Sequence, residues 1–172
     1  MDDQNLEAGS GEEAGPVEKY LIFTVGDKKY AVPSKLIGEV SALEKVFPLP
    51  LVSGYIQGII NRYSIPYALI DLDALLRDDR EPRSGPAPAG LAKIIVLKES
   101  VDKLALLIDD VTDIADIPGE ALLKVEQDGE GEGLVQASFE WKEDHILCLE
   151  VQKLIDAVKQ GTIKKEFETY TP

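Results

Sequence analysis

Gly54-Tyr55-Ile56-Gln57-Gly58-Ile59-Ile60-Asn61, followed at residues 65 to 72 by Ile-Pro-Tyr-Ala-Leu-Ile-Asp-Leu, is the stretch whose reading decides the fold. Apolar runs rich in β-branched and aromatic residues, separated by turn formers, favour extended backbone. The stretch therefore reads as two strands joined by a polar turn at Arg62, Tyr63 and Ser64. Beyond it, Asp71 is placed to cap a short helix through Leu76, with Leu72, Leu75 and Leu76 on one side at helical spacing.

Upstream, Leu21, Phe23 and Val25 alternate with Tyr20, Ile22 and Thr24, and Gly26-Asp27 turns the chain into Lys28 to Val32, a hairpin signal. Pro33 to Leu36 accommodates a single helical turn, and Ile37-Gly38-Glu39-Val40 extends again before Pro48 and Pro50 punctuate the connection. Residues 1 to 18 carry almost no apolar side chains and read as a disordered acidic arm. Downstream, residues 77 to 90 combine charges with prolines and glycines in the manner of an exposed linker. Ile94 to Leu97 and Leu104 to Ile108 are uninterrupted apolar runs too short for helices, so they read as strands covered on both faces. Asp109 to Ile114 alternates, residues 126 to 133 form an acidic, glycine-rich loop, and strands return at residues 134 to 139 and 145 to 149. Val151, Leu154, Ile155 and Val158 fall on one helix face, which Gly161 is expected to end.

A chain of 172 residues forms one domain or two small subdomains sharing a core. With 44% hydrophobic and 29% charged residues and no apolar run near the ~20 needed to cross a bilayer, it reads as a globular protein without direct membrane insertion. The polar, acidic start lacks the features of a secretory signal, so a cytoplasmic location is expected. The single cysteine, Cys148, cannot form an intrachain disulfide and suits a packing role. A net charge of -14 argues against nucleic-acid binding, which relies on clustered Lys and Arg.

Signals for catalysis are weak. His145 is the only histidine, and although Ser138, Asp144 and Cys148 lie near it in sequence, no nucleophile turn precedes them. The Asp109, Asp110, Asp113 and Asp116 carboxylates lack the spacing of a calcium loop, and residues 129 to 133 lack the Lys-Ser/Thr of a phosphate cradle. No catalytic residue, metal site or cofactor is expected; a carboxylate-based hydrolase is the weakest of the readings. Phe139 and Trp141 fit core or hairpin packing better than exposed binding.

The central stretch resembles the CheW family of chemotaxis coupling proteins, in which Gly-Val-Ile-Asn-Leu-Arg-Gly leads into Ile-Val-Asp-Leu. Gly58, Ile59, Ile60 and Asn61, then Ile70, Asp71 and Leu72, stand at matching places. Val25 to Tyr30, Ile108 to Ile114 and Ile146 to Leu154 resemble further segments of the family, so the likeness runs through residues 20 to 159. The resemblance implies a mainly β fold of two small five-stranded SH3-like β-barrels packed together, with a short helix after the first barrel and a C-terminal helix. The implied boundaries are an arm at 1–18 and a CheW-like domain at 19–159. Within it, the first barrel spans about 19–76, the linker 77–90, the second barrel about 91–150 and the helix 151–159, with a tail at 160–172.

Family membership implies a non-catalytic adaptor coupling the cytoplasmic tip of a methyl-accepting chemoreceptor to the regulatory domain of a CheA-type histidine kinase. Carried over residue by residue, Ile37, Glu39, Val40 and Tyr63 are receptor-side candidates, and Gly58 and Ser64 are kinase-side candidates. Ile37 and Val40 fit core positions equally, and Gly58 fits a purely conformational role. The departure from the family is Arg62-Tyr63-Ser64 in place of Leu-Arg-Gly. Tyrosine at 63 replaces a planar cation with a ring and one hydroxyl, and Arg62 faces the other way unless the strand shifts register. Serine at 64 would be strained at positive φ, so the turn is expected to take another shape. The alternative is a divergent CheW-like scaffold with partners outside chemotaxis.

Overall fold

The computed structural model describes residues 16–50, 55–77, 92–98, 100–125 and 133–170. The expectations for residues 1–15, 78–91 and 126–132 lie outside the described residues. In chain order the elements are β1 (Val17–Val25), β2 (Lys28–Pro33), a 3-10 turn (Ser34–Leu36), β3 (Ile37–Ala42), β4 (Ile56–Arg62), β5 (Ile65–Asp71) and helix α1 (Leu72–Arg77). They continue with β6 (Lys93–Leu97), β7 (Leu104–Ile108), β8 (Asp110–Pro118), a second 3-10 turn (Gly119–Ala121), β9 (Leu123–Lys124), β10 (Val135–Trp141), β11 (Asp144–Leu149) and helix α2 (Val151–Tyr170).

The strands form a six-stranded sheet, β8-β1-β2-β11-β10-β9, and a five-stranded sheet, β3-β6-β7-β5-β4. The same pairing scheme builds both. An antiparallel hairpin (β1β2 or β6β7) lies against an outer antiparallel strand (β8 or β3) and, on its other side, runs parallel to the second strand of another hairpin (β10β11 or β4β5). Each sheet thus takes its central hairpin from the other half of the chain. The strands do not group into sheets by sequence half, because β1 finds a long antiparallel partner in β8, from Val17↔Pro118 to Thr24↔Asp110. The same ladder draws in Val17 and Glu18, read from the sequence as part of the arm.

Alternation along the strands explains the double-faced apolar runs. Ile95 and Leu97 of β6 and Leu104, Leu106 and Ile108 of β7 face a large central core between the sheets, whereas Ile94, Val96, Ala105 and Leu107 face a smaller core inside the five-stranded sheet. On the other sheet Leu21, Phe23 and Val25 join the central core, and Tyr20 and Ile22 join Phe139, Ile146 and Cys148 in a third cluster. Burying such apolar surface is the main favourable term in folding, at roughly 25 cal/mol per Å².

Both helices close over the central core. Asp71, fully buried, accepts a hydrogen bond from the Ala74 backbone N–H (3.3 Å), which caps α1 as its sequence position suggests. Val151, Leu154, Ile155 and Val158 of α2 are all buried, as their spacing predicts. The helix runs past Gly161, the expected stop. A single helical glycine costs only ~1 kcal/mol relative to alanine, which the flanking lysines and glutamate, good helix formers, help to offset. Among the described residues no helix is long and apolar enough to cross a membrane.

Candidate functional site: the tip of the five-stranded sheet

The β4–β5 hairpin closes through a two-residue loop, with Arg62 paired to Ile65 and φ of 53° at Tyr63 and 69° at Ser64. Positive φ at both loop residues is the turn that matches the right-handed twist of the flanking strands. The expectation that Ser64 would give the loop another shape is therefore corrected: the ladder imposes the left-handed conformation despite the absence of glycine. Each side chain held there costs on the order of 1–2 kcal/mol. Tyr63 consequently stands clear of the sheet, 84% exposed.

Arg62, which the sequence reading set aside, makes the strongest polar contact of the tip. Its Nε donates to Glu39 Oε1 (3.0 Å) and its Nη2 to Glu39 Oε2 (2.6 Å). The Tyr63 hydroxyl adds a long third contact to Glu39 Oε2 (3.4 Å). Arg62 shares a strand face with buried Ile60, and the sheet curls far enough to bring β3 round to it. No bulge lies at Arg62: curvature of the sheet, which strand alternation alone does not reveal, brings the adjacent cation onto the Glu39 carboxylate, where it is engaged within the chain. The hydrogen bonds from Arg62 hold the Glu39 carboxyl below the usual carboxylate range, against a smaller opposing effect of burial. Glu39 in turn raises the guanidinium further above its ordinary value. Both shifts favour the charged pair.

Gly58 lies deeper. After β3 the chain crosses to the far edge of the sheet, where Phe47 and Ile59 exchange backbone hydrogen bonds of 2.8 Å in each direction. A Cβ built on Gly58 would stand 2.4 Å from the Phe47 carbonyl oxygen and 2.9 Å from Val46 Cγ1, and its φ is +149°. Gly58 is buried beneath this crossing, so the crossing needs a glycine. A bulky substitution there cannot leave the fold intact, in keeping with the conformational role that the sequence leaves open for Gly58. Of the remaining candidates, Ile37 is half-buried against the central core and Val40 is exposed on the outer edge strand β3. The structure thus brings Glu39, Arg62 and Tyr63 together, with Ser64 beside them on the turn.

Next to this cluster a shallow cleft of about 230 Å³ is lined by Glu44, Lys45, Phe47, Arg62 and, at its base, the buried residues Ile60 and Ile94. Lys45 Nζ lies 4.8 Å from the centre of the Phe47 ring, a cation–π contact.

The six-stranded sheet carries a matching tip. Its β10–β11 loop also has two non-glycine residues at positive φ, Lys142 (50°) and Glu143 (71°). The residue before the loop, Trp141, donates its indole N–H to Asp113 of the edge strand β8 (2.8 Å), and Lys142 Nζ reaches the same carboxylate (2.9 Å). These contacts, the Trp141 hydrogen bond foremost, draw the Asp113 carboxyl down to about 2. The residues considered for catalysis do not converge. His145 Nδ1 meets Glu140 at the surface (2.7 Å), Ser138 is buried, and burial pushes the Cys148 thiol up to about 12, far from a reactive thiolate.

Comparison with known proteins agrees with this architecture. The scaffolding protein TtCheW from Thermoanaerobacter tengcongensis has a similar fold, with a TM-score of 0.68 and 18% sequence identity over 79% of this chain and 86% of that one. No curated protein sequence matches the chain. Residues 19–159 match the CheW-like domain. With two packed sheets, a short helix after the first group of strands and a C-terminal helix behind that match, the chain belongs to the CheW-like domain family, a family of scaffolds and adaptors.

Proposed function

We propose that this protein is a cytoplasmic, non-catalytic chemotaxis adaptor that couples the tip of a methyl-accepting chemoreceptor to the regulatory domain of a CheA-type histidine kinase. The observation that carries the reading is the CheW-like match across residues 19–159, which spans both sheets and the start of α2. The geometry supports it in one respect: the five-stranded sheet ends in a displayed turn, with Tyr63 84% exposed and Glu39 and Arg62 beside it. On the receptor side the reading assigns Ile37, Glu39 and Val40 of β3 with Tyr63 of the turn. On the kinase side it assigns Ser64 at the turn and Gly58, whose contribution is to hold the Val46–Phe47 crossing in place. An adaptor works by surface burial, so neither metal nor nucleotide enters the scheme.

Titration calorimetry of the full chain with the purified regulatory domain of the cognate kinase, and separately with a cognate receptor cytoplasmic fragment, tests the proposal. Saturable heats are expected with both. Absence of any heat with the kinase domain at high micromolar concentration overturns it.

A further inference from the structure

Arg62 is the only arginine described at this tip, and both of the guanidinium nitrogens that face Glu39 are engaged in a fork-to-fork pair. A partner carboxylate would have to displace Glu39 from that pair, exchanging one charge-assisted bidentate contact for another with no net gain. Lys45, the other cation of the cleft, rests over the Phe47 ring. What the tip offers outward is aromatic: the Tyr63 ring, with the Phe47 edge and an apolar cleft floor of Ile60 and Ile94 beside it. The hairpin sets the Tyr63 backbone at positive φ, the Arg62 guanidinium lies 5.8 Å from the ring centre and the hydroxyl is 3.4 Å from Glu39 Oε2, which together orient the ring. A large aromatic side chain presented at low cost in conformational entropy is the usual character of an interface anchor.

We infer that Tyr63 is the anchor of an apolar contact in which the partner supplies a notch for an aromatic ring and no countercharge. The inference rests on the adaptor reading, which makes the receptor tip that partner. The charge pattern selects the occupant's chemistry: Arg62 and Glu39 neutralise each other, and Glu44 and Lys45 of the cleft carry opposite charges, so the tip presents no net charge to an acidic or a basic partner. Binding to the receptor should then respond weakly to salt, unlike a contact built on exposed charges.

The test measures binding of a cognate receptor cytoplasmic fragment to the full chain at low and high sodium chloride, using wild type, Tyr63→Phe, Tyr63→Asn and Tyr63→Arg. Asparagine removes the ring yet suits positive φ better than tyrosine, so the turn is preserved while the anchor is lost. The expected results are a wild-type affinity that changes by no more than about twofold between the salts and Tyr63→Phe within about twofold of wild type. Tyr63→Asn should be weaker by about tenfold or more, and Tyr63→Arg should also be weaker. Wild-type binding that Tyr63→Asn leaves unchanged, or that falls by about tenfold in high salt, overturns the anchor alone. Failure of wild type to bind the fragment at all overturns the adaptor reading and the anchor with it. A Tyr63-dependent self-association in sedimentation, with receptor binding unaffected by Tyr63→Asn, assigns the ring to a contact between copies and equally overturns the inference.

Discussion

Arg62 and Glu39 stand on β4 and β3, the two outermost strands of the five-stranded sheet, and their ion pair fastens together edges that are farthest apart in strand order. The pair is half-buried, with side-chain exposures of 18% for Arg62 and 26% for Glu39, so it sits between the surface pairs that contribute little and the deeply buried ones that cost desolvation.

Removing one partner leaves the other charge without its fork. Arg62→Ala is expected to lower unfolding stability by about 1–3 kcal/mol, with Arg62→Lys restoring only part because an ammonium cannot bridge both oxygens. A double-mutant cycle with Glu39→Gln in urea denaturation should return a coupling above ~1 kcal/mol. The pH dependence follows the same pair: the folded Glu39 carboxyl lies below its ordinary value of 4.5, so its contribution is present above 4.5 and is lost as the pH falls through the folded value. A coupling near zero would mean that backbone hydrogen bonds alone hold the edges.

Ser64→Gly is expected to stabilise the protein by about 0.5–1 kcal/mol, since glycine adopts the φ of 69° found there without a Cβ penalty. Thermal melting would register this as a small rise in Tm. An unchanged or lower Tm would show that the Ser64 side chain offsets its own strain.

Gly58→Ala should be costly, on the order of 2 kcal/mol or more, because the new methyl meets the backbone of Phe47 and no flexible side chain can move aside. Hydrogen exchange should locate the damage at the Phe47 and Ile59 amides, which bond across the crossing. Gly26→Ala is the control: its φ is +65°, but the nearest atom is 3.8 Å away, so about 1 kcal/mol is expected without loss of protection at Phe47.

Alkaline unfolding should begin with two buried acids of the third core cluster. Burial pushes the Cys148 thiol from 9.0 up to about 12. The Tyr20 phenol is raised from 10.0 to about 12, by burial first and then by Cys148 and Glu18. In both cases the folded state holds its proton more tightly than the unfolded one. Their contribution is therefore complete below pH 9 and is lost as the pH rises to about 12. Denaturant midpoints measured from pH 8 upward should fall across this window, and Cys148→Ala should remove the earlier part of the decline. A flat profile would indicate that folding leaves the proton affinity of these groups unchanged.

Much of the architecture was legible from local pattern. The alternation at Tyr20 to Val25, the double-faced runs at Ile94 to Leu97 and Leu104 to Ile108, the cap at Asp71 and the α2 stripe all correspond to observed elements, because each depends on side chains within a few positions of one another. What local pattern cannot encode is which strands meet. That β1 and β2 join β11 is a long-range choice, and so is the curling that sets Arg62 against Glu39 from 23 positions away. The same blindness hid the reason for Gly58, since the carbonyl that excludes a side chain belongs to Phe47 on a crossing with no strand signature of its own. The two-residue loop at Tyr63 and Ser64 was misread for the converse reason: glycine is only the preferred occupant of that backbone, and a strong ladder on both sides imposes it on other residues.

The exchange of hairpins between the sheets also sets a timetable for the newborn chain. Val17 must wait for Pro118, about 100 positions later, before its strand can pair with β8, a delay of roughly 5–20 s at ordinary ribosomal speeds. Until then β1 and β2 present Phe23 and Val32, later wholly enclosed, with neither β8 nor β11 to cover them. Neither sheet can be completed when only the first half of the polypeptide has emerged, so the nascent chain has no finished folding unit until its C-terminal strands arrive.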